Sequence, residues 1–427
     1  MPLEDHPLRY RLANELHARP FPNLAAPAQA IFLAIKQPKN AAKRDRGLDR
    51  AHLLALLDRF GADHPAPDAT HYFGDLGKFR LKWEQHTEFV TYTAFLPSNG
   101  ERPFDPAAWE VFPEDWLAEA PGVRITSAHL RIELTPEDDT QIAAKLGEWL
   151  VPESLAVSHV LDGTAIVAGD FRIDTQGHMR FAVFCKSDIG SRRVGRIVQR
   201  IFEIETYKAM SLLGLPTSRE ISTRMGEMDE GLVRLVADMT GDLARPDETL
   251  GQLLSIAAEL EKLQAESAFR FGATGAYEAL VNQRITVLRE ERFMGRQTFG
   301  EFMMRRYDPA MRTIKATERR LLSMTERAIR AGDLLRTRVD VDRSAQNQDL
   351  LESMNQRADL QLRLQKTVEG LSVVAISYYA LNLVVYLIAP LAEPMGLSKT
   401  VLTALAVVPV VVAVWLTVHS IRRSMEK

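Results

Sequence analysis

The pattern of hydrophobic and polar positions changes character twice along the chain. Up to about residue 215, short apolar runs alternate with turn residues and predict interleaved strands and helices. AQAIFLAIK (28–36) and GVRITSAHLRIEL (122–134) read as strands, and KFRLKWEQHTEFVTYTAFL (78–96) as one long strand or a bent pair. HVLDGTAIVAGDFRID (159–174) and HMRFAVFCK (178–186) flank the turn TQG and predict a hairpin. Helical spacing marks HPLRYRLANELHAR (6–19), which Pro20 and Pro22 end, and LDRAHLLALLDRF (48–60), which stops before Gly61. In TPEDDTQIAAKLGEWL (135–150), Thr135 is the expected N-cap, with Pro136 at the first helical position. A further helix is predicted from about Gly190 to Leu213, stopped by Gly214 and Pro216.

Beyond Thr217 the strand signal disappears. SREISTRMGEMDEGLVRLVADM, DETLGQLLSIAAELEKLQAESAFRF and AYEALVNQRITVLREERF are amphipathic, with GATG expected as a turn between the last two. After Pro309, Leu321, Ala328, Leu335 and Val339 recur near heptad spacing, as in a coiled coil. VDVDRSAQNQ is a polar interruption. Leu350, Met354, Leu360, Leu364, Val368 and Leu371 then continue the spacing, and one long helix is expected to run on into the next segment.

That segment is the second change. Gly370 to Ala392 and Thr400 to Ile421 hold no charged residue. Each is about 22 residues, roughly 33 Å as a helix, the thickness of a bilayer's hydrocarbon core. The expected organisation is an α+β cytosolic domain with a mixed sheet and packed helices (1–215) and a helical bundle with a long stalk (216–369). Two transmembrane helices (370–392 and 400–421) follow, with an external loop (393–399) between them and a cytoplasmic tail (422–427). Arg357, Arg363 and Lys366 precede the first span, and Arg422, Arg423 and Lys427 follow the second. Positive flanks put both ends in the cytoplasm, at a bacterial inner membrane. The N-terminal MPLEDHPLRY has no apolar core of a signal peptide.

Composition narrows the partners. The 427 residues carry a net charge of −3, which argues against a dedicated nucleic-acid binder. The one cysteine, Cys185, has no internal disulfide partner, lies in an apolar run and reads as a buried strand residue. Expected partners are the lipid bilayer and further copies of the chain.

Candidate chemistry is sparse. There is no phosphate loop, no H-E-x-x-H and no paired C-x-x-C. In KWEQHTEF, a strand would place Glu84, His86 and Glu88 on one face, where they could hold a divalent cation; a solvated, ion-paired face is the alternative. ELHARP groups Glu15, His17 and Arg19, expected to anchor the first segment. Arg192, Arg196 and Arg200 share a helix face that could meet an anion or acidic lipid, or pair with Glu203, Glu205 and Asp188. In the first span Ser372, Tyr379, Asn382 and Tyr386 fall within an arc of about 80°. Such a polar stripe faces another helix, an oligomer axis or water, with Asn382 near mid-membrane.

Long cytosolic helices, a helix entering the membrane, a second span and both ends inside resemble the CorA divalent-cation channels in layout. That family carries Gly-Met-Asn after its first span; here the stretch reads YLIAPLAEPMGLSK, with no Asn. HPLRYRLANELHARPFP, LKWEQHTEFVTYT, GRIVQRIFEIETYKAMSLLGLP and LQKTVEGLSVVAISYY resemble a bacterial family of membrane-anchored proteins of unknown function. The resemblance implies a cytoplasmic domain on a C-terminal anchor and supplies no activity, cofactor or catalytic residue. The expected role is a homo-oligomeric binding, scaffolding or sensing protein. The alternatives are a CorA-like channel or transporter and, third, an enzyme.

Overall fold

The computed structural model describes residues 3–10, 21–239, 246–392 and 398–425. The expected ELHARP cluster and most of the helix over 6–19 lie outside these. The chain divides into two compact units, residues 1–243 with 251–331, and residues 244–250 with 332–427.

The first unit is built on one nine-stranded mixed sheet, ordered β2-β3-β4-β1-β5-β8-β7-β6-β9. In chain order the strands are β1 Ala28–Lys36, β2 His71–Asp75, β3 Arg80–Gln85, β4 Phe89–Leu96, β5 Val123–Leu134, β6 Ala156–Val160, β7 Ala165–Ile173, β8 Met179–Cys185 and β9 Glu291–Arg292. The long 78–96 segment is the bent pair: β3 and β4 pair antiparallel, with Glu84 opposite Thr91 and Lys82 opposite Thr93. All neighbours are antiparallel except β5 and β8. The HVLDGTAIV run holds two strands, because Leu161, Asp162 and Gly163 adopt positive φ and turn the chain between β6 and β7.

Both faces are covered at the centre of the sheet, where β1 is buried along its whole length. One face of β1, β3 and β4 (Ile31, Leu33, Leu81, Trp83, Tyr92) packs on Leu53, Leu56 and Leu57 of α1 Arg46–Phe60 and on Trp116 of α2 Glu114–Ala118. Further along, Ile142 and Leu146 of α3 Asp139–Trp149 cover Val157, Ile166 and Phe184. The N-cap of α3 is Asp138 and not the expected Thr135: the Asp138 carboxylate accepts from Thr140 N at 2.8 Å.

On β1 and β5 lies α4 Ser191–Leu212, which buries Val194, Ile197, Val198, Ile201 and Phe202 at helical spacing. Its entry is pinned by the chain before β1, where Leu24 N donates to Ser191 O at 3.1 Å. Gly195 is required there, since a Cβ would stand 1.7 Å from the Pro22 carbonyl oxygen.

Helix α4 ends at Leu212, as Gly214 and Pro216 predicted, and these two residues open the next helix, α5 Gly214–Asp238, at a position where a proline removes no needed donor. GATG is not a turn either. It lies inside α6 Pro246–Thr286. Two helical glycines cost roughly 1 kcal/mol each, and burial of Thr274 between them and of Phe271 and Val281 on either side offsets that. Thr274 Oγ1 also donates to Ser211 O at 3.2 Å. After α7 Phe299–Arg306 comes α8 Asp308–Ala392, one uninterrupted helix of 85 residues that contributes to both units. The polar 339–348 stretch does not break it.

In the second unit, α8 and α9 Lys399–Met425 are both long and apolar enough to cross a membrane. Their most apolar windows have mean hydropathies of 2.0 and 2.6 and are only 11% and 0% buried, unlike the core helices of a packed domain. Among the described side chains of the first apolar segment, Ser377 and Val385 are buried.

Candidate functional site

Alternation along β4 decides where a site can form. Val90, Tyr92 and Ala94 enter the core under α1, so Phe89, Thr91, Thr93 and Phe95 face the other way. The same alternation on β3 sends Leu81 and Trp83 into the core and Lys82 and Glu84 to the opposite face. There, α4 supplies Gln199, Phe202, Glu203 and Thr206, and α6 supplies Arg284. Between sheet and helices remains a cavity of about 240 Å³, also lined by Phe32, His86 and Tyr207.

A polar chain crosses this cavity. Lys82 Nζ lies 3.0 Å from Glu84 Oε2 and donates to Gln199 Oε1 at 2.9 Å. Gln199 Nε2 donates to Glu203 Oε1 at 2.8 Å, and Arg284 Nε pairs with the other Glu203 oxygen. Two ion pairs are thus joined through one amide. Beside them, Thr91 and Thr93 are each 6% exposed and line the cavity. Among the described residues neither threonine hydroxyl has a hydrogen-bond partner. The apolar wall is aromatic, with Phe32 stacked on Phe202 at 4.6 Å and His86 on Phe89 at 4.4 Å.

The strand ends at Gln85, so the expected face of Glu84, His86 and Glu88 does not form. Glu84 and His86 line the cavity, and Glu84 pairs with Lys82. Glu88 is 1% exposed and turns to Arg270, with Tyr277 Oη donating to it at 3.2 Å. Burial and this carboxylate push the Tyr277 hydroxyl's pKa up. Among the described residues, no group of three or more His, Cys, Asp or Glu side chains could hold a metal ion. The turn that separates Glu84 from Glu88 is held by buried Arg44. Its guanidinium donates to His86 O at 2.8 Å, to Phe89 O at 3.0 Å and to Thr87 O, while Nε bonds Asp49 at 2.8 Å.

The arginines of α4 do not take the expected acids. Glu203 pairs with Arg284, and Glu205 with Lys208 at 2.6 Å. Arg200 donates to Val287 O at 3.2 Å, and burial together with Arg196, Arg284 and Arg289 lowers its pKa. Arg192 is exposed. Within the polar stripe of α8, Tyr379 and Tyr386 stay 67% and 69% exposed, while Ser372 and Asn382 are half-buried. Burial pushes the Cys185 thiol up to about 12, which leaves it unreactive as a nucleophile.

A second polar group was not singled out from the sequence. Ser127 Oγ and His178 Nδ1 are 2.8 Å apart, and the His178 ring stacks on Trp109 at 3.5 Å. Burial, with Arg124 adding to it, pushes His178 down to about 4. A base so weak takes little part in deprotonating a serine at neutral pH, so the pair is a packing bond.

The cavity's own residues, Lys82, Thr91, Thr93, Gln199 and Arg284, were also missed. The available signal was polar residues at positions that periodicity assigns to a covered face: Thr91 and Thr93 within FVTYTAFL, and Gln199 in line with Phe202. No curated protein and no solved structure matches the chain. The family model described as protein of unknown function DUF3422 matches residues 4–425, nearly the whole length, and the chain belongs to that family.

Proposed function

We propose that this protein binds a small ligand at the cytoplasmic face of the bacterial inner membrane, as a self-associating sensor or scaffold anchored by its two apolar helices. The observation that carries the ligand-binding part is the pair of threonine hydroxyls, from Thr91 and Thr93, that line a cavity already set with charged groups and make no bond within the described residues. A hydroxyl that faces a cavity and is not bonded within the protein can donate to or accept from a bound molecule. The cavity is smaller than the ~300–1,000 Å³ of drug-sized pockets, which favours a small ligand. The anchor is supported by two long, apolar, largely unburied helices, and its orientation by the basic flanks. The resemblance to CorA channels remains one of element order, and no described residue group favours ion binding.

The test is a fragment library screened by melting temperature on the full chain in detergent. A ligand that prefers the folded state raises the melting temperature by mass action. Hits whose shifts vanish in Thr93→Met, which fills the cavity, support the reading. A screen in which no shift depends on Thr93 counts against it.

A further inference from the structure

The charges around the cavity narrow the ligand further, on the assumption that the pocket reading above holds. Its lining carries two cations, Lys82 and Arg284, and two carboxylates, Glu84 and Glu203. They are arranged as two ion pairs along one chain of bonds, Glu84–Lys82 and then Glu203–Arg284, with Gln199 accepting from Lys82 and donating to Glu203. The wall therefore has no net formal charge from these four groups, yet it presents both signs. Burying a ligand with one uncompensated charge in such a site would set it beside groups of its own sign and cost desolvation on top. A molecule with a carboxylate and an ammonium meets an opposite charge at each end.

The remaining wall gives the body of the molecule. Phe32 and Phe202 are stacked, and Phe89 contributes a further ring face. The hydroxyls of Thr91 and Thr93, which line the cavity, can donate to a carboxylate or accept from an ammonium. A cavity of about 240 Å³, below the roughly 300–1,000 Å³ of drug-sized pockets, suits a molecule of amino-acid scale.

We infer that the pocket between β3, β4 and α4 takes a small zwitterion with an apolar or aromatic body, of the amino-acid class, seated on the Thr91 and Thr93 hydroxyls between the Lys82–Glu84 and Arg284–Glu203 pairs.

The experiment measures melting temperature and calorimetric affinity of the full chain in detergent. The probes are a panel of apolar and aromatic L-amino acids, with 3-phenylpropionate and 2-phenylethylamine as single-charge analogues of phenylalanine. At least one amino acid binds, and both analogues bind about ten-fold or more weaker. The Thr91→Val, Thr93→Val double variant, nearly isosteric, loses about ten-fold in affinity, the size expected for two neutral hydrogen bonds. The Thr91→Ser, Thr93→Ser variant keeps the hydroxyls and retains binding. A single-charge analogue that binds as tightly as the zwitterion, and is equally sensitive to the valines, overturns the zwitterion class and leaves the pocket standing. An amino-acid panel that gives no shift also overturns it, while the fragment screen judges the pocket separately. Amino-acid binding unaffected by the double valine variant places the site elsewhere and overturns the assignment.

Discussion

At the scale of single residues, the first unit stores a pH dependence in two histidines. His129 Nε2 lies 2.9 Å from Gln29 Oε1, and the ring sits edge-on to Phe104. Burial pushes its pKa down to about 4, with His178 and Arg131 adding to the effect, and His178 is likewise held near about 4. Both are neutral when folded and take up protons below about 6.5 when unfolded. The unfolded state therefore binds more protons between about pH 6.5 and 4, and stability falls as the pH falls through that window. At about 1.4 kcal/mol per pKa unit the loss approaches an upper bound of roughly 3 kcal/mol for His129, and solvent screening makes it smaller for the less buried His178. Melting temperature followed from pH 7 to 4.5 is expected to drop, and His129→Gln is expected to flatten the slope. An unchanged slope in that variant would show that His129 does not contribute.

At the scale of elements, the exposed part of α8 is the least explained by the fold of one chain. Leu350, Met354, Leu364, Val368 and Leu371 fall within an arc of about 100°, and Glu352, Asp359, Arg363 and Lys366 within the opposite 60° or so. The apolar set is more than half exposed throughout. The same helix continues into the apolar segment where Tyr379 and Tyr386 are exposed. Copies inserted in one bilayer would meet in parallel, stripe against stripe, as in a coiled coil. Replacing Leu364 and Val368 together by Lys is predicted to shift the full chain in detergent toward monomer. Asp359→Lys on the opposite face is predicted to leave the assembly as it is. Mass photometry reads both; equal effects of the two changes would place the interface elsewhere.

At the scale of the whole molecule, the proposed anchor makes a topological prediction. A reporter fused after Lys427 is expected to report the cytoplasm, because Arg422, Arg423 and Lys427 follow the second apolar helix and only Lys399 stands in the connecting segment. A reporter inserted at 393–399 is expected to report the outside. Cytoplasmic labelling at both places would exclude a two-span hairpin.

What was legible in the sequence is what depends on local order. Strong periodicity placed β1, β5, α1 and the long α8, because a two- or 3.6-residue repeat is a property of neighbours along the chain. Composition and length alone mark the two apolar helices. Local signals failed where packing outweighed them. The Gly214–Pro216 pair does mark a helix boundary, but the glycines of GATG predicted a break that does not form, because the buried faces around them hold one helix together. Strand alternation grouped Glu84, His86 and Glu88, but the Arg44 clamp turns the chain between them and sends Glu88 to Arg270. The cavity was illegible for a related reason. Lys82, Thr91, Gln199 and Arg284 come from two strands and two helices, and only the covering of β4 by α4 turns them into one wall. Local propensity specifies which elements form; which polar side chains end up buried together is decided by the sheet order and by the faces that tertiary packing leaves facing each other.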